Sequence, residues 1–184
     1  MSKFLHGKLL IASPYLPDDN FLRTVVYIVR HDVEGAFGLV LTRPLDVRLQ
    51  EVFEQTLGTK PLRDDPVYLG GPVEGPLCAL HNEGNYSDLS CVDGLFLTSE
   101  QESLGAIANR PEIVARFFAG YSGWGPDQLE TEMEQGGWLV CDATKDDVFG
   151  DSDEVWERLV KRVGQSVMMT AVPDSQLGVD PGLN

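Results

Sequence analysis

Short apolar segments separated by glycine- and proline-marked breaks run through the first hundred residues of this chain. Residues 8–12 (KLLIA) make an apolar run of strand length, and the PYLPDDN stretch that follows has the composition of a loop. Residues 24–29 are dense in β-branched and aromatic side chains. After a Glu34-Gly35 turn, residues 37–41 repeat that pattern, so residues 24–42 predict a hairpin. Asp46 is placed to cap a helix starting near Arg48, whose stripe is Leu49, Val52, Phe53 and Leu57. Short strands are expected at 67–69 and 77–81 around GGPVEGP. A loop is expected over 82–94, and another strand at 95–98.

The second half reads as helices interrupted by strands. Ser99 and Glu102 have the capping-box spacing, which predicts a helix through about residue 109. Pro111 suits the first turn of a second short helix, with Ile113, Val114, Phe117 and Phe118 on its buried face. A glycine-rich strand or tight loop follows at 120–124. Asp127 then caps DQLETEMEQ, and Gly136 ends it. Residues 138–141 read as a buried strand. A last helix over 153–163 buries Val155, Trp156, Leu159 and Val163, with Gly164 as its stop and Arg158, Lys161 and Arg162 towards its C-terminal end. Residues 165–184 keep no period and are expected to be a flexible tail behind one domain of residues 1–164. Strands and short helices alternating irregularly predict a mixed sheet with helices around it.

Charge narrows the functional classes. The chain of 184 residues carries 29 acidic against 14 basic side chains, a net charge of −15, with no Lys or Arg over 64–109 or 117–144. Binding to DNA, RNA or an anionic membrane requires the opposite sign, so direct contact with them is disfavoured and a basic protein partner is favoured. Cys78, Cys91 and Cys141 show no C-x-x-C spacing, which argues against a metal cluster and for buried thiols in a reducing compartment. No apolar run approaches the ~18 residues of a membrane helix, and a cytoplasmic location is expected.

Candidate chemistry concentrates in HDVEGAFGLVLTRP, residues 31–44, where His31, Asp32, Thr42 and Arg43 flank Gly35 and Gly38. His31, Asp32 and Arg43 are expected to meet at the open end of the hairpin, opposite its turn, where they can bind an anion or move a proton. A hydrogen-bond network that fixes the strand ends is the competing and favoured reading. Asn20, Arg23 and His81 are expected neighbours. GGPVEG supplies Gly70, Gly71 and Gly75 but lacks the Lys-Ser/Thr pair and helix start of a phosphate loop, so it reads as a turn or a close backbone approach. A ligand can still lie against such bare backbone. GYSGW misses the G-x-S-x-G pattern because Trp124 replaces its last glycine. Tyr121 and Trp124 read as packing residues. Glu130, Glu132 and Glu134 alternate on one helix and read as solvated.

The segments LLIASPYLPDDNFLRTVVYIVRHDVEGAFGLVLTRPL, VYLGGPV, LCALH, GYSGWGPDQLETEM and DVFG occur in this order over residues 9–164. Through them the chain resembles the AlgH/YqgE family of bacterial proteins, which carries a transcriptional-regulator label. The resemblance implies an α+β fold with a mixed, strongly curved β-sheet flanked by short helices in a layered, αβα-like arrangement. It brings no catalytic residue set, and no cofactor or metal is expected. The chain carries Asp32 and Thr42 where the family commonly has Asn, and Ser122 where it has Ala. The resulting expectation is a regulator linked indirectly to transcription. It would bind a small ligand or a basic protein near Asn20, Arg23, His31, Asp32, Thr42, Arg43, Gly70, Gly71 and His81. Two alternatives stand beside it. One is a small enzyme using His31 or His81 with Arg43 on an anionic substrate, and the other is an acidic protein-interaction module.

Overall fold

In the computed structural model, which describes residues 4–16, 18–92 and 94–171 with the side chains of 168–171 excepted, the expected hairpin is the centre of the fold. Strand β2 (Val25–Asp32) pairs antiparallel with β3 (Gly35–Val40), and the Val33-Glu34 turn sets His31 opposite Ala36 and Asp32 opposite Gly35. Strand β1 (Lys8–Ala12) runs beside β2. Strands β10 (Ser122–Trp124) and β11 (Trp138–Asp142) complete a five-stranded antiparallel sheet in the order β10-β3-β2-β1-β11. A second, six-stranded sheet has the order β4-β5-β9-β6-β8-β7. Its strands are β4 (Pro44–Arg48), β5 (Pro66–Leu69), β6 (Cys78–His81), β7 (Leu89–Ser90), β8 (Phe96–Thr98) and β9 (Ala115–Ala119). The pairing of β5 with β9 is parallel, which makes this sheet mixed.

Three apolar clusters explain the layers. Leu9, Val25, Tyr27 and Leu39 of the first sheet meet Tyr68, Leu80 and Phe118 of the second across the central core. The outer face of the first sheet (Leu10, Val26, Ile28) is covered by Leu129 of helix α3 (Gln128–Glu134), together with Trp124 and Trp138. The outer face of the second sheet (Val67, Ala79, Phe117) is covered by α1 (Leu49–Leu57) and α2 (Gln101–Ala108). Helices α4 (Lys145–Phe149) and α5 (Val155–Ala171) supply Val148, Val155 and Leu159 to the central core. The architecture is α+β, with helices outside two stacked sheets.

Several local expectations change. Residues 113–118 are not a helix, because 115–119 form β9 in the middle of the second sheet. Phe117 and Phe118 point to opposite, equally buried faces, and a strand buried on both sides shows no polar alternation to distinguish it from a helix. Asp46 lies within β4, and α1 begins after Arg48 without a side-chain cap. Ser99 does not cap α2. The Asp88 carboxylate reaches across to accept the N–H groups of Ser99 (2.6 Å) and Glu100 (3.1 Å). Helix α4 was not expected, although Thr144 and Asp147 form its capping box. Helix α5 continues through Gly164 to Ala171, so part of the expected tail is helical; residues 172–184 lie outside the described residues.

Candidate functional site

The GGPV and GYSGW segments cross each other where the two sheets join. The Gly70 N–H donates to the Ala119 carbonyl (2.9 Å), while its own carbonyl accepts from the Val40 N–H (2.8 Å) and the Ser122 hydroxyl (3.1 Å). Gly70 therefore links β3 of the first sheet to β5 and β9 of the second. A Cβ on Gly70 would lie 2.2 Å from the Gly120 carbonyl oxygen, and one on Gly71 would lie 2.3 Å from the Tyr121 carbonyl, so side chains are sterically excluded at both positions. Val73 and Tyr121 exchange two backbone hydrogen bonds of 3.0 Å each, which holds the turn after Gly71 against the strand leading into β10. The expected close backbone approach is the role these glycines play.

Beside this junction the 71–75 turn lines a cleft of about 580 Å³ at the carboxyl ends of β5 and β9. Its walls are Leu69, Pro72, Val73 and Ala119, with Asn20 and Glu74 as the polar side chains and glycine backbone between them. Arg43 fixes the Asn20 side of the cleft. Its guanidinium donates to the carbonyls of Leu22 (3.2 Å) and Asp19 (3.4 Å), and its own carbonyl accepts the Leu69 N–H (2.8 Å). Arg43 thus commits Nη2 to the 19–22 loop and positions that loop, while its buried Nε has no hydrogen-bond partner among the described residues.

Asn20, Arg43, Gly70 and Gly71 are therefore brought together, and the remaining candidates are not. The Thr42 hydroxyl, next to Arg43, accepts the Val25 N–H (3.3 Å). Arg23 turns towards α5, where it pairs with Glu157 (3.2 Å) and lies 4.9 Å over the Trp156 ring. The expected meeting of His31 and Asp32 with Arg43 does not occur, because Val26 faces Val40 and His31 faces Ala36. His31 sits at the closed end of the hairpin, roughly 15–20 Å along the strand from the Arg43 end. Asp32 there accepts the Glu34 N–H (2.8 Å) and pairs with Arg30 (2.8 Å), which is turn chemistry.

Both candidate histidines are buried. His31 Nδ1 accepts the Leu5 N–H (3.1 Å), which leaves Nε2 as the N–H that donates to Glu130 (3.1 Å). Both ring nitrogens are thus committed to holding the N-terminal segment and α3 against the hairpin. His81 lies at the far end of β6, opposite Ala115, about 13 Å along the strand from the Ala119 end. Its Nδ1 accepts the Glu83 N–H (3.3 Å), and its buried Nε2 has no hydrogen-bond partner among the described residues. Burial lowers its pKa below the ordinary value, against the raising pull of the Glu83 backbone and of the Asp88 and Glu83 charges. Ser122 is buried and commits its hydroxyl to Gly70, so it is no exposed nucleophile. Burial pushes the Cys78 thiol up to about 12 and that of Cys91 to about 11.

With this geometry in view, comparison with known proteins decides the family. The AlgH-like family model matches residues 9–168. The chain belongs to the AlgH-like family. A UPF0301 protein of Chlorobaculum tepidum is 38% identical over 165 residues, covering 86% of each chain. A UPF0301 protein of Myxococcus xanthus is 38% identical over 167 residues, covering 88% of this chain and 92% of its own. Among solved structures, the solution structure of the AlgH protein from Pseudomonas aeruginosa superposes with a TM-score of 0.71 at 33% identity, covering 100% of this chain and 98% of that one. A crystal structure of a Corynebacterium diphtheriae protein gives a TM-score of 0.69 at 26% identity over 88% of each chain.

In this AlgH-like chain several polar residues have roles that the sequence did not reveal. Glu132, expected to be solvated, accepts the indole N–H groups of both Trp124 (3.0 Å) and Trp138 (2.9 Å). Two tryptophans with buried rings each need an acceptor, and that need was the available signal. Glu130 is likewise engaged, by His31. Arg116 on β9 is buried, lies 4.5 Å over the Tyr68 ring, and donates to the carbonyls of Leu41 (3.1 Å) and Gly150. Asp147 is buried beneath Arg158 (3.0 Å) and Arg162 (2.9 Å), which staples α4 to α5. These groups hold elements together, and none of them lines the cleft.

Proposed function

We propose that this AlgH-like protein is a non-catalytic cytoplasmic regulator whose small-molecule site is the cleft beside the Gly70 junction. The supporting observation is the composition of that cleft: apolar walls, bare glycine backbone and one amide, on a framework fixed by backbone hydrogen bonds. Leu69 and Val73 remain 36% and 37% exposed there, so an occupant gains apolar burial. Glu74 disfavours an anion, and the amide of Asn20 can both donate to and accept from a polar group. The matching ligand is a small, mostly apolar, uncharged or cationic molecule carrying one amide- or hydroxyl-like group. A net charge of −15 makes any influence on transcription indirect, through what the protein binds rather than through DNA.

The enzyme reading requires His31 or His81 within reach of Arg43, and both histidines lie at other strand ends. Fragment binding followed by amide chemical shifts tests the ligand reading. Small apolar amides and alcohols should shift residues 69–75 and 119–121, and Leu69→Asp should abolish those shifts while leaving the spectrum folded. Shifts that map elsewhere, or that survive Leu69→Asp, would contradict it.

A further inference from the structure

Helices α1 and α2 cover the second sheet without closing over it. Leu49 and Phe53 of α1 and Leu104, Ile107 and Ala108 of α2 are buried against the strands. Between the helices lies a hollow of about 200 Å³, walled by Val52, Leu57, Leu77 and Leu104. A second hollow of about 560 Å³ shares Phe53, Leu57 and Gln101 with the first and runs on to Gly105 and Asn109. The two adjoin through these shared residues as one groove, apolar at the first hollow and more polar at the second, where Thr59, Glu102 and Asn109 join the lining.

Gly105 has no explanation within the chain itself. It lies in the interior of α2, where glycine is the poorest helix former after proline, and a Cβ built there meets nothing within 4 Å. Neither a turn nor close packing requires it. Its effect is to keep the groove open.

The charges of the two helices supply the second, independent observation. Glu51 and Glu54 on α1, and Glu100 and Glu102 at the start of α2, are all exposed. Neither helix contains a basic residue; Arg48, just before α1, pairs with Asp64 (3.4 Å), Arg63 pairs with Asp65, Arg110 lies 5.6 Å over the Tyr86 ring, and Lys60 follows Thr59 at the edge of the second hollow. An apolar hollow with Glu102 in its lining, between helices whose charged side chains are all acidic, is complementary to a segment with apolar side chains on one face and Lys or Arg on the other, and it repels nucleic acid and anionic lipid.

We propose that the α1–α2 groove docks a basic amphipathic segment of a partner protein. This surface is separate from the ligand cleft. The two are joined in the chain by Gly75 and Pro76, the first lining the cleft and the second the groove.

The test uses the full chain and a fluorescent synthetic Leu–Lys amphipathic helix of about four turns as probe, with a scrambled peptide of the same composition that lacks the apolar stripe. Gly105→Leu fills the groove at a position with free space, and an unchanged or raised melting temperature verifies its fold. It should weaken probe binding by about tenfold or more. Glu54→Lys with Glu102→Lys should weaken binding and flatten its salt dependence, and amide shifts should fall on 52–57 and 101–109. Leu69→Asp, which disables the cleft, should leave probe binding unchanged. Equal binding of the scrambled peptide, or full binding by folded Gly105→Leu, would overturn the proposal.

Discussion

The Gly70 carbonyl accepts the Val40 N–H at 2.8 Å, and through this bond the end of one sheet is tied to the central hairpin of the other. Because the Ser122 hydroxyl shares the same acceptor, three separate sequence segments converge on one oxygen. The cleft lies beside that convergence, lined by the turn at residues 71–75.

A methyl group at position 70 would have to displace the Gly120 carbonyl, 2.2 Å from its ideal place. Gly70→Ala is expected to lose ~3 kcal/mol, the cost of overpacking against rigid backbone. Gly105→Ala, which meets no atom, is expected to gain ~0.5–1 kcal/mol from helix propensity. Urea unfolding of the two variants against the parent measures both. Equal effects would show that the junction can relax.

His31→Gln tests the structural role of that ring. Its loss disturbs the Leu5 N–H and the Glu130 carboxylate at once, and a decrease of ~1–3 kcal/mol in stability is expected from leaving buried groups poorly paired. Fragment binding at the cleft should be unaffected. A folded variant of full stability that no longer binds fragments would return His31 to the site.

His81 predicts a pH dependence. Burial lowers its pKa below the ordinary 6.5, so the folded chain holds it neutral while the unfolded chain takes up a proton. Its contribution is therefore complete above about pH 6.5, declines as the pH falls below that value, and stops changing below the folded pKa. Urea midpoints for the parent and His81→Leu between about pH 5 and 7 should show a shallower slope in the variant. Parallel curves would assign the acid sensitivity of this range to other groups, though not to Asp147. That carboxyl is raised by burial but lowered further by Arg162 and Thr144, so its net pKa lies below 3.8 and its contribution is lost only at lower pH.

The buried thiols predict inertness. With Cys78 pushed up to about 12 and Cys91 to about 11, little thiolate is present at neutral pH. A thiol reagent should modify these residues slowly in the native protein and rapidly in urea. Fast native modification of Cys78 would mean that the central core opens readily.

What the sequence made legible follows from local chemistry. The hairpin was readable because β-branched runs flank a Glu34-Gly35 turn, and the close approach at Gly70 and Gly71 because no helix start or Lys-Ser/Thr pair follows them. Residues 115–119 were not, since Phe117 and Phe118 are buried on both sides of a sheet whose second layer no local pattern announces. The union of Asn20 with Gly71 depends on Arg43 reaching back to the 19–22 loop, a contact over more than twenty residues. By contrast, the separation of His31 from Arg43 was contained in the predicted hairpin. The expected turn at 34 and 35 pairs position 31 with 38, and the observed turn at 33 and 34 pairs it with 36, either of which leaves position 43 far from it.

The most direct test of the central claim is native mass spectrometry of the protein purified gently from its own cells, alongside Leu69→Asp prepared in the same way. The cleft assignment predicts a stoichiometric small-molecule adduct on the 20.3 kDa parent chain that is missing from the variant. A bare chain in both preparations, or an adduct that persists in Leu69→Asp, would contradict it.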